Sequence, residues 1–129
     1  MAEIISIHYR PIAGTFHKVV VYTKSDGTSV WYDAFRGSGG KIDIETKAGL
    51  PDDIYRTEVL ITSDEPGGLS EQWEKIKQTF EDIKDKSANG DPEWQYSFVP
   101  PFKNCNYVAD YAVWRAGLNL PEKDDINPA

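Results

Sequence analysis

The sequence predicts an α+β domain, with an antiparallel sheet packed against a buried, cysteine-bearing helix and one amphipathic helix. Three observations predict it. Short runs of β-branched and aromatic residues are separated by Gly, Pro and Asp turns, which is the pattern of strands. Leu69, Trp73, Ile76, Phe80 and Ile83 recur at spacings of 4, 3, 4 and 3, the period of a helix that buries one side. A second helical stretch, opening at Asn104, carries the only cysteine of the chain, Cys105.

Taken in order, Glu3 to Tyr9 sets Ile5, Ile7 and Tyr9 on one face and predicts a short edge strand ended by Pro11. Phe16–Thr23 and Ser29–Phe35 flank an Asp26-Gly27 turn, which predicts a β-hairpin. His17 opens the first of these strands, on the face of Val19 and Val21. Arg36-Gly37-Ser38-Gly39-Gly40 has no following lysine and no strand-loop-helix setting, so it reads as a wide turn rather than a phosphate cradle. Lys41–Thr46 and Tyr55–Thr62 predict two further strands, with Pro51-Asp52-Asp53 turning between them.

Ser63 to Gly68 breaks the sheet, and Ser70 is the expected N-cap of the amphipathic helix. Ala88 to Pro92 ends that helix, and Trp94–Phe98 is an extended segment leading into Pro100 and Pro101. These prolines forbid helix just upstream, Asn104 is a good N-cap and Gly117 a natural stop, so the last helix is expected from Cys105 to about Ala116. Cys105, Ala109, Ala112 and Ala116 form a narrow face of small residues, and Tyr107, Tyr111, Trp114 and Leu118 repeat the same spacing on another. With only Asp110 and Arg115 left for water, this helix is expected to be buried nearly all round. Residues 121–129 are polar and read as a loose tail.

At 129 residues the chain reads as one domain, with a core over about residues 15–120. The net charge of −7 and a pI of about 4.7 argue against nucleic acid as a partner, which demands a basic footprint. No stretch approaches the roughly 18 apolar residues of a membrane span, so no membrane insertion is expected. The N-terminus lacks the charged and apolar regions of a Sec signal. A protein made in the cytoplasm and exported, if at all, by a specialised secretion system is therefore expected. One cysteine excludes an internal disulfide, and one Cys with two widely spaced His makes no zinc signature. No metal or cofactor is expected.

The residues able to do chemistry are few. Cys105 would lie in the first turn of its helix, where unpaired N–H groups and the positive dipole end favour thiolate. A cysteine nucleophile needs a base within reach, and only His8 and His17 qualify. His17 is preferred because it begins a clear strand. A third group must orient the base: Asp33, on the partner strand of the hairpin, is the candidate, with Asn104, Gln95 or a backbone carbonyl as alternatives. The Cys105 N–H, helped by Tyr96 or Gln95, is the expected oxyanion hole.

His17 opening a strand, the Asp26-Gly27 turn, the Arg36-Gly37 loop, a helix, and then Asn104-Cys105-Asn106 opening a helix that ends Ala116-Gly117-Leu118 together resemble a circularly permuted papain-like hydrolase of the NlpC type. In unpermuted members the cysteine helix comes first. Here the histidine precedes it, as in the lecithin retinol acyltransferase-like proteins. The resemblance implies a papain-like fold and a cysteine peptidase or amidase, with Cys105 as nucleophile, His17 as base and Asp33 matching the variable third position by place and type. It also implies an amide bond of peptidoglycan peptides as substrate, and an antibacterial effector or toxin domain of the type VI secretion kind acting in the periplasm of a target cell. A cognate immunity protein would then be the partner. The alternatives are a lipid or thioester acyltransferase with the same dyad, and a binding module using Trp31, Tyr32 and Trp94 as a recognition surface while Cys105 merely packs.

Overall fold

A computed structural model describes residues 1–12, 15–97 and 103–120. Five strands precede two helices: β1 (Glu3–Ile12), β2 (Thr15–Thr23), β3 (Ser29–Arg36), β4 (Ile42–Ala48), β5 (Arg56–Ser63), α1 (Ser70–Ala88) and α2 (Cys105–Arg115). The strands form one antiparallel sheet in the order β4-β3-β2-β1-β5, so the α+β class holds. The predicted hairpin is β2–β3, turning through Gly27 at φ 86°, a left-handed backbone that glycine adopts without strain.

Two expectations about the sheet are corrected. The first strand is not at an edge: β1 lies between β2 and β5, and Ser6 and His8 on its other face are buried as well. It also runs past Pro11, which pairs with Phe16 of β2 at a level above the end of the β5 ladder. Proline is tolerated where one side of a strand has no partner. Pro51-Asp52-Asp53 lies between β4 and β5 in the chain, but the two strands are not neighbours in the sheet. They occupy opposite edges and run parallel, because four antiparallel pairings separate them.

Residues 49–55 therefore form a strap that crosses the sheet diagonally. Four strand spacings make the sheet about 19 Å wide, and the eight peptide steps from Ala48 to Arg56 reach about 26–29 Å, enough to cross it. It lies on the face away from the helices. There Val19, Val21 and Trp31 form a separate buried cluster, Pro51 is buried, and Arg10 Nε donates to the Asp52 carbonyl at 3.3 Å. Arg10 and Lys47 each place a cation over the Trp31 ring, at 5.5 and 5.2 Å from its centroid.

The main core fills the other face. Ile5, Ile7, Val20, Tyr22, Tyr32 and Ile44 of the sheet meet Trp73, Ile76, Phe80 and Ile83 of α1, with Tyr32 and Phe80 stacked at 5.1 Å. The N-cap of α1 is Leu69 rather than Ser70, and no side chain of the helix's own entry segment caps it. Glu3 caps it instead. Its carboxylate, 2 % exposed, accepts from Leu69 N at 3.2 Å, Gly67 N at 3.0 Å, Ser25 N at 3.2 Å and the Tyr22 hydroxyl at 2.7 Å. Negative charge is stabilised at a helix N-terminus. The hydrogen bond from Tyr22, reinforced by the backbone donors, holds the Glu3 carboxyl at about 2.

The last helix has the predicted start and end. Asn104 Oδ1 accepts from Tyr107 N at 3.0 Å, and Gly117, at φ 80°, stops it. Its burial differs from expectation. The small face, Cys105, Ala109, Ala112 and Ala116, is buried, but Tyr107 and Trp114 are exposed, Trp114 by 62 %. With α1 alongside and the sheet on one side only, nothing among the described residues covers the aromatic row completely. Phe98, Pro100, Pro101 and the tail over 121–129 lie outside the described residues.

Candidate active site

The site forms where the sheet splits. The β2–β3 ladder runs from Thr23↔Ser29 to Val20↔Tyr32 and stops, although both strands continue. The first turn of α2 fills the gap. Asn106 Oδ1 accepts from Lys18 N at 2.9 Å and Asn106 Nδ2 donates to the Phe16 carbonyl at 3.1 Å. The carboxamide thus replaces a β3 peptide group and satisfies the β2 backbone that β3 has left. Farther along α2, Asp110 receives the buried Lys18 ammonium on both oxygens, at 2.9 and 3.0 Å. Strand and helix are locked together at two levels.

This docking brings three predicted residues together. His17 Nε2 is hydrogen-bonded to Asp33 Oδ1, and the ring also bonds the Cys105 sulfur. Since Asp33 occupies Nε2, Nδ1 is the nitrogen left for sulfur. Burial alone would favour the neutral ring, but the bonds to Asp33 and Cys105 and the charge on both outweigh it and raise the imidazole to about 9. His17 therefore holds its proton through neutral pH. Cys105 is 2 % exposed and also lies 3.6 Å from Asn106 Oδ1.

Tyr96 completes the cluster. Its backbone N–H donates to the Gly40 carbonyl at 2.8 Å, next to the Lys41↔Gln95 bridge, which pins residues 95–97 beside the β3–β4 turn. Its phenol bonds both the sulfur and the backbone N–H of Cys105. Burial, followed by the charge and hydrogen bond of Cys105, pushes the phenol above its ordinary value, so it remains a neutral donor.

The other candidates are placed elsewhere. Gln95 points away, its Nε2 donating to the Ser87 and Asp91 carbonyls at 3.1 and 2.8 Å, because the turn after α1 needs those carbonyls satisfied. Asn104 is the N-cap and does not orient the imidazole, a place already filled by Asp33. His8 is buried with Nε2 on Ser6 Oγ at 3.0 Å, and burial lowers its basicity. Trp31, Tyr32 and Trp94 are 4–6 % exposed and cannot form the recognition surface considered for a binding module. Among the described residues no three His, Cys, Asp or Glu side chains are grouped so as to hold a metal ion.

Sequence reasoning missed the roles of Asn106 and of the Lys18–Asp110 pair. An Asn in the first turn of an apolar helix and a Lys inside a run of β-branched residues were the available signals, since both need partners once buried. No protein-family model, curated protein or solved structure matches the chain. No helix among the described residues is long and apolar enough to cross a membrane.

Proposed function

We propose that this protein is a thiol hydrolase that cleaves an amide bond, with a papain-like arrangement of permuted NlpC type. One observation carries the proposal: a buried imidazole that is hydrogen-bonded to a carboxylate and also engages the cysteine side chain, the three drawn from β2, β3 and the start of α2. Lone core cysteines have no need of a buried histidine and aspartate.

The residues then take these parts. Cys105 thiolate, paired with protonated His17, attacks the carbonyl carbon. The new C–S bond raises an oxyanion that the Cys105 N–H and the Tyr96 hydroxyl stabilise once the phenol yields its present hydrogen bond to that N–H. His17 gives its proton to the departing amine as the C–N bond breaks. The neutral imidazole next takes a proton from water, which adds to the thioester, and C–S cleavage returns the thiolate. Asp33 keeps the ring oriented and its positive charge compensated.

The substrate we propose is a peptidoglycan peptide, cleaved by an exported antibacterial effector that an immunity protein would hold in check in the producing cell. An acyltransferase would use the same dyad but requires a uniformly apolar groove, and the groove next to Tyr96 carries Lys86, Glu93 and Lys103. The test is a thiol-selective alkylating probe at pH 6–7 together with muropeptide and lipid substrates. Expected are fast, stoichiometric labelling of Cys105, and muropeptide cleavage that falls about 10²–10⁴-fold in His17→Ala. Labelling no faster than in the urea-unfolded chain would end the proposal.

A further inference from the structure

The two edges of the sheet are finished differently. Along β4 the outer backbone is taken: Ile42 N–H donates to Ser87 Oγ at 2.8 Å, Ile44 N–H donates to Asp43 Oδ1 at 2.8 Å, and Lys84 Nζ donates to the Ile44 carbonyl at 3.5 Å. Such cover keeps an edge strand from pairing with another chain. β5 lacks it. Its one ladder is with β1, and among the described residues no other backbone bonds the outer side of residues 57–62. This edge is also apolar where it is most open, with Tyr55 64 % and Val59 56 % exposed. The Tyr55 ring leans on Phe16 with centroids 4.5 Å apart, so it is already held before anything binds.

The sequence of the strand selects the occupant. Turned about a two-fold axis through Thr57, a second copy runs antiparallel to the first and sets Thr57 opposite Thr57, Arg56 opposite Glu58, Tyr55 opposite Val59 and Ile54 opposite Leu60. A threonine pair, an opposite-charge pair and an aromatic pair with a β-branched residue each favour antiparallel pairing, and the axis repeats all but the first. Moving the axis by one residue sets Arg56 on Arg56 or Glu58 on Glu58, like charges face to face. One register is therefore singled out. Within the chain Arg56 Nε and Glu58 Oε1 lie 3.5 Å apart, so the two copies bring four alternating charges into one cluster.

We infer that β5 is the interface of a symmetric dimer, in which two five-stranded sheets join edge to edge into one continuous sheet. One added strand pair is a small interface, under about 1,200 Å² in total, so the dimer forms and dissociates with concentration. Sedimentation equilibrium over about 1 μM to 1 mM reads the mass. Expected is a rise from 14.5 kDa towards twice that value, weakened at least about tenfold by Thr57→Lys, which sets two ammonium groups together on the axis. Circular dichroism checks that the variant folds. The register is read by cross-linking in Cys105→Ala protein, where an introduced thiol is the only one. Thr57→Cys places the two Cα atoms about 4.5–5.5 Å apart, within reach of a disulfide, whereas Val59→Cys separates its two thiols by about 13 Å along the strands. Diamide should link the first into a covalent dimer and leave the second unlinked. A mass of 14.5 kDa at every concentration, a dimer indifferent to Thr57→Lys, or equal linking at the two positions overturns the inference, and the first of these would leave the edge to a different chain.

Discussion

Asn106 Oδ1 accepts a hydrogen bond from the backbone N–H of Lys18 at 2.9 Å, and this contact sets how far the Cys105 helix stands from the strand of His17. The same carboxamide serves the Phe16 carbonyl, so one side chain stitches the split in the sheet. Asn106→Leu keeps the branched shape and removes both bonds, leaving the Lys18 N–H and the Phe16 carbonyl without this partner. A loss of about 2–3 kcal/mol in urea unfolding is expected, with slower alkylation of Cys105. A loss under about 0.5 kcal/mol would show that the carboxamide is not what holds the split closed.

The raised basicity of His17 gives a pH signature. Activity that needs the imidazolium should persist through neutral pH and fall as pH rises through about 9. Asp33→Asn removes one cause of the rise, so the falling limb should move down by about one pH unit or more. Stability should follow the same sign. The folded state binds the proton more tightly than the unfolded chain, so this contribution is complete below about 6.5 and fades as pH passes about 9. Urea midpoints of wild type and His17→Gln, compared from pH 6 to 10, should converge at the alkaline end.

At Glu3 the sign is opposite. Its folded carboxyl lies at about 2, below the ordinary 4.5, so its contribution is present above pH 4.5 and is lost as pH falls towards 2. Glu3→Gln should lower the melting temperature at pH 7 and flatten its dependence on acid over that window. Equal slopes in the two proteins would assign the acid sensitivity to other carboxylates.

Lys18 and Asp110 form an asymmetric pair, 1 % and 26 % exposed at the side chain. Removing the acceptor takes the carboxylate away from a buried cation, whereas removing the cation leaves a carboxylate with access to water. Asp110→Ala is therefore expected to cost about 3–5 kcal/mol and Lys18→Met distinctly less. Denaturant curves for the two variants and for the double variant measure the coupling, and an equal cost for the two single changes would contradict this view of the pair.

Much of this was legible in the chain. The hairpin announced itself through β-branched runs around Asp26-Gly27, and α1 through its apolar stripe, because local backbone preference and burial period agree there. Cys105, His17, Asp33 and Tyr96 were chosen from position and residue type, and the fold brings all four together. What failed was non-local. Glu3 to Tyr9 reads as an edge strand because nothing in that segment tells that β5, far along the chain, pairs with its other side. Gln95 looked available because the carbonyls that claim it, at Ser87 and Asp91, belong to a turn whose shape no periodicity reports. The role of Asn106 was missed for the same reason: its partners are on a strand almost ninety residues earlier.

The diagonal strap also bears on how quickly the chain can reach this state. Ile5 meets Ile61 across the longest loop that any strand pair of this sheet closes, whereas the other three pairings join neighbours in the chain. Topologies dominated by such distant pairings mature in about milliseconds to seconds, against microseconds for helical bundles. Shortening the crossing by even one residue should therefore slow refolding and leave β1 with an open flank prone to self-association.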